Sequence, residues 1–135
     1  MKYIIISALN LLLLAACNTP TATTQTTAKD DLHGKWTMTS YVAFMPPIPA
    51  LTTGDVVWEF NSSKKSLTVT KKDVEKHRAA GMPVGSYTYS VDDGKVIING
   101  SDYTYGLKNG TLTLNSNTDP RISADGPVIQ FVGMR

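Results

Sequence analysis

The sequence predicts an all-β domain, an eight-stranded antiparallel up-and-down barrel over residues 31–135. Three observations carry that reading. Apolar and polar residues alternate in short runs, as in half-buried strands. Asp93-Gly94, Asn99-Gly100 and Asn109-Gly110 follow one another closely between strand-like runs. Such pairs suit the positive backbone angles that two-residue hairpins require. No heptad, helical repeat or long amphipathic helix competes with them.

The elements follow in order. The first strand is expected over 35–44, with Trp36, Met38, Ser40 and Val42 on one face. The next two are expected over 56–61 and 66–71. A fourth, over 84–91, is rich in β-formers and places Tyr87, Tyr89 and Val91 on one face. The turn pairs then separate 95–99, 102–107 and 111–115, and a last strand covers 127–134. Consecutive hairpins make a meander, and eight such strands close readily into a barrel without exposed edges. The segment 73–80 is the one helical candidate, with Asp73 to cap it, Gly81 to end it and Pro83 to bar extension. An irregular loop is the alternative. The inward set reads Trp36, Met38, Val57, Leu67, Val69, Tyr87, Tyr89, Val96, Ile98, Tyr103, Tyr105, Leu112, Leu114 and Val132. A register slip of one residue inverts any of these strands.

The 135 residues allow one domain. A lone cysteine excludes an intrachain disulfide and any zinc site built from two or more cysteines. A net charge of +2 is too small to point to nucleic acid.

Residues 1–16 read as a signal peptide. Lys2 supplies a basic start, and the apolar run that follows is too short for a spanning helix. The run ends Leu14-Ala15-Ala16-Cys17, which resembles the lipobox of bacterial lipoproteins. The resemblance implies a diacylglycerol on the Cys17 sulfur, cleavage before Cys17, and an acyl chain such as palmitate on the new amino group. It also implies a lipid-anchored protein of the bacterial cell envelope. Asn18, in place of the aspartate that retains such proteins at the inner membrane, points to the outer membrane. Residues 17–30 then form a tether. Six of the ten residues 19–28 are threonine and none is large and apolar, so the segment cannot bury enough surface to fold.

Gly34-Lys35-Trp36 at the start of the first strand resembles the Gly-X-Trp signature of lipocalins. The resemblance implies that Gly34 and Trp36 close the barrel floor and that Arg135, at the end of the last strand, packs across the indole. It is strongest to the small lipocalin-like lipoproteins of bacteria. The last expected strand runs to the end of the sequence, so the helix that usually follows it in that family is not expected here.

No catalytic set emerges. His33 and His77 lack a cysteine partner or a close histidine spacing and read as two exposed histidines, so neither a metal nor another cofactor is expected. No nucleophile elbow or phosphate loop occurs, and the protein is expected not to be an enzyme. Between Lys64 and Arg78 the chain carries a local excess of basic residues, either a solvated surface or a face for anionic lipid or glycan. The connection 44–53 is apolar and stiffened by Pro46, Pro47 and Pro49. It is a plug, a ligand lid or a partner surface. The favoured reading is a carrier of a small hydrophobic ligand. Met38, Tyr87, Tyr89, Tyr103 and Tyr105 would line its cup, and Phe44, Ile48 and Leu51 would close the mouth. The alternative is an envelope protein-binding module, an inhibitor or assembly factor, with a filled barrel that docks through this loop.

Overall fold

The computed structural model describes residues 31–43, 47–116 and 126–134. Cys17 with the whole leader and tether, Phe44 and Arg135 lie outside the described residues. The strands are β1 (Gly34–Val42), β2 (Val56–Asn61), β3 (Ser66–Lys71), β4 (Gly85–Asp92), β5 (Lys95–Ile98), β6 (Ser101–Lys108), β7 (Thr111–Asn115) and β8 (Val128–Gly133). Each pairs antiparallel with its neighbour in sequence, and β8 returns to β1 to close a barrel. All eight expected strands form, with ends within two residues of expectation.

The hairpins form for the expected reason. Asn99 and Gly100 have φ of 49° and 82°, and Asn109 and Gly110 have 52° and 74°. Two successive positive angles match the right-handed twist of the flanking strands. The segment 73–80 is not a helix. One turn starts, with the Lys76 amide donating to Asp73 Oδ1 at 2.9 Å and the His77 amide to the Asp73 carbonyl at 3.1 Å. The next bonds, Arg78 to Glu75 and Ala80 to His77, span only three residues. The Lys71 amine takes the His77 and Arg78 carbonyls at 2.8 and 3.2 Å. A single turn with its carbonyls claimed elsewhere does not overcome the cost of helix nucleation.

Three strands correct the expected inward set. β1 carries a bulge between Met38 and Ser40. The extra residue reverses the alternation, so Trp36 and Met38 face inward but Tyr41 replaces Ser40 and Val42 on the inner side. Val42 is 63% exposed. In β2 the buried residues are Val56, Trp58 and Phe60, not Val57. Val57 shares its face with Glu59, and a charge belongs in water. In β8 the inward residues are Ile129 and Phe131, while Val132 lies beside Gln130 on the outside and is 42% exposed.

The strand directions define two ends. The chain enters at a floor shared by the turns 62–65, 93–94 and 109–110. Here Gly34 opens β1 with φ +123°. Leu32 is fully buried, and its carbonyl accepts the Trp36 Nε1 proton at 2.8 Å. The Trp36 ring lies against Gly133, where a side chain would begin 3.6 Å from it. The buried Trp36 indole thus lies at the floor end of the barrel. The opposite end, the mouth, carries residues 47–55, 72–84 and 99–100, together with the end of β7 and the start of β8.

Candidate functional site

The mouth is built from two unequal halves. On the side of β1 and β2 the interior is filled. Trp58 is fully buried at the centre, with its ring centroid 5.0 Å from Phe131 and 6.3 Å from Phe60. Met38 is fully buried beside it. The connection 72–84 folds over both. A Cβ on Gly81 would approach Met38 Cε to 3.0 Å and Trp58 Cζ2 to 3.3 Å, and Gly81 has φ +66°. Only glycine suits that backbone angle and that proximity. Ala80 is fully buried, and Met82 packs on the same cluster. The expected loop also contributes, since Ile48 and Leu51 are half-buried against the core. The mouth thus has two covers, and the one that touches Met38 and Trp58 is 72–84.

The other half keeps some inner wall exposed. Tyr105 pairs with Leu114, Leu114 with Ile129, and Ile129 with Tyr41, so these four form one inward row across β6, β7, β8 and β1. Leu114 and Ile129 are buried, but Tyr41 and Tyr105 keep partial exposure. Tyr103, nearer the mouth on β6, is 9% exposed. Burial raises the pKa of Tyr41 above the ordinary phenol value. Burial, then the nearby Tyr41, does the same for Tyr103. These phenols are held neutral, as hydrogen-bonding groups on an otherwise apolar wall. Tyr41 was not expected here, because only the bulge turns it inward.

The remaining candidates separate. The half-buried Tyr87 donates its hydroxyl to the Pro83 carbonyl at 2.8 Å and so braces the connection 72–84. Tyr89 belongs to the floor. Its amide donates to the Lys65 carbonyl, Phe60 meets its ring edge-on at 5.1 Å, and the Lys65 amine lies 5.6 Å from its centroid.

The basic stretch also divides. Lys64 and Lys65 sit in the floor turn, whereas Lys72, Lys76 and Arg78 are exposed at the mouth, a barrel length away. Lys71 ends the inward set Leu67, Val69 and Lys71 on β3, and it is 9% exposed. Burial lowers its pKa. The sequence showed one cationic cluster, whereas the fold makes two surfaces and one interior amine.

His77 is a second correction. Expected to be exposed, it is 1% exposed, with Nε2 3.6 Å from Asp55 Oδ2. The same carboxylate oxygen accepts from the Thr52 hydroxyl at 2.7 Å and the Thr52 amide at 2.8 Å. The Gly54 amide donates to the buried Thr37 Oγ1 at 2.8 Å, and the Lys72 amide to the Asp55 carbonyl at 2.8 Å. This network ties residues 52–55 to the connection 72–84 at the mouth. The two Thr52 hydrogen bonds hold the Asp55 carboxyl below its ordinary pKa; His77 and Lys76 add to this, and burial opposes it. A carboxylate with a depressed folded pKa stabilises the fold above its unfolded pKa and loses that contribution as pH falls through the folded one. An Asp55→Asn variant is therefore expected to be less stable at neutral pH. It should also lose less stability than the parent on acidification from pH 5 to below about pH 3. Urea titrations at each pH check this, and parallel pH profiles would contradict it.

Among the described residues no three His, Cys, Asp or Glu side chains come together as a metal site. No protein-family model matches the chain, and no curated protein matches it.

Proposed function

We propose that this is a lipid-anchored barrel protein of the bacterial envelope that binds a small, largely apolar ligand at a shallow mouth. The observation that supports it best is the inner wall on which Tyr41 and Tyr105 stay partly exposed around the buried Tyr103, beside the half-buried Ile48 and Leu51. Binding sites for small molecules are mostly apolar with a few placed polar groups, and this wall has that character. The lipobox-like Leu14-Ala15-Ala16-Cys17 supports the anchor, and Asn18 supports the outer membrane. On this reading the protein has no catalytic role, no metal or other cofactor, and no nucleic-acid partner.

The filled half around Trp58 favours a second reading, an envelope protein-binding module. It would dock through the connection 44–53, where Pro47, Pro49 and Ala50 are exposed. The substitution Tyr103→Asp separates the two. It places a charge on the inner wall and leaves 47–53 unchanged. Under the first reading the variant loses any small molecule that copurifies with the parent. Retention of that molecule by a folded variant would remove the wall from the account.

A further inference from the structure

An inward-facing amine partly withdrawn from water at a barrel mouth needs acceptors, because desolvating an unpaired ammonium is costly. Lys71 finds two, the carbonyls of His77 and Arg78, both on the connection 72–84. Beneath the same connection lies a second donor. Trp58 Nε1 is fully buried and has no acceptor. Its carrier atom Cε2 is 3.9 Å from where a Gly81 Cβ would stand. Trp58 pairs with Val69, and Val56 with Lys71, so the two donors project inward from adjacent strands at the mouth. His77 Nδ1, on the covering segment itself, is also buried without a partner. The cover thus satisfies the lysine but leaves the indole proton and an imidazole nitrogen unsatisfied. Buried polar groups are seldom left in that state.

We infer that the 72–84 connection is a releasable cover whose two carbonyls stand in for an acidic ligand group, and that Lys71 and Trp58 Nε1 recognise a small amphipathic acid. This rests on the ligand-binding reading and names the ligand class. When the cover lifts, the lysine loses its two acceptors, and a carboxylate can accept from both Lys71 and the indole. The apolar body of the acid then lies along the wall of Tyr41, Tyr103 and Tyr105. Asp55 is the carboxylate held nearby, engaged by Thr52 and His77, while Asp73 and Glu75 are exposed on the cover. Lys72, Lys76 and Arg78 are exposed there too and favour the approach of an anion.

The test compares decanoate with 1-decanol, which share a chain length and differ in the head group. The full chain carrying Cys17→Ser, free of acyl chains, is titrated with each, and tryptophan fluorescence is read. Decanoate is expected to bind at least about tenfold more tightly, since hydrogen bonds to charged acceptors are about twice as strong as neutral ones. Lys71→Met is expected to abolish that preference while its circular dichroism stays that of a barrel, and Lys71→Arg to keep it. Equal binding of the two probes would overturn the acidic-group assignment and leave the apolar site standing. A preference that survives in Lys71→Met would overturn the role of the lysine. Binding of neither probe would remove the ligand-binding reading together with this one.

Discussion

Trp58→Ala is expected to destabilise the barrel by about 3–5 kcal/mol, the range for removing a large aromatic side chain from a packed core. Trp58 has no exposed surface and packs against Phe60, Phe131 and Met38 under Gly81, so the surroundings have little room to collapse into the void. For a domain of this size the melting temperature should fall by roughly 12 °C or more. Val132→Ala makes the contrast, because Val132 lies on the outer face and is 42% exposed. Its effect should stay within about 0.5 kcal/mol. Denaturant titrations of both variants check the inward phase of β2 and β8 at once. A large loss for Val132 with a small one for Trp58 would reverse that phase.

Cys17→Ser is expected to abolish membrane attachment altogether. The anchor of the proposed lipoprotein is a thioether on the Cys17 sulfur, and the chain contains no other cysteine. Two or more acyl chains hold a protein stably where one holds it only marginally. Loss of the first also blocks cleavage and the second acylation, so the effect is all or none. Cells fed labelled palmitate should yield a labelled parent in the membrane pellet, and an unlabelled variant absent from it. A variant that still pellets, or still carries label, would sink the lipobox assignment.

The strand plan was legible because it rests on local chemistry. Asn-Gly pairs set the hairpins whatever the tertiary surroundings, and the Gly34-X-Trp36 floor needed only a buried indole and a nearby carbonyl, which Leu32 provides. Facing was legible where polar residues marked the outside. Glu59 and Gln130 did so in β2 and β8, and weighing them would have placed Trp58 and Phe131 inward. The bulge in β1 had no such mark. It inserts one residue between Met38 and Ser40, and only pairing with β8 reveals it. Tyr41 was missed for that reason.

The mouth was legible only in part. Its apolar loop stood out by composition, and Ile48 and Leu51 do pack on the core. The cover that reaches Met38 and Trp58 did not stand out, because 72–84 is rich in charge and reads as solvated. Lys71 and His77 appeared to belong to that charged surface. Their burial depends on Asp55 and on two main-chain carbonyls, partners brought together by closure of the barrel rather than by spacing along the chain.

Native mass spectrometry of the protein released gently from its own host membrane tests the central claim most directly. The account predicts a reproducible added mass beyond the acyl anchor, one that leaves on unfolding and fragments as a small amphipathic acid. A protein that carries its anchor and nothing else, across preparations and mild detergents, would contradict it and favour the docking module with its exposed proline-rich loop.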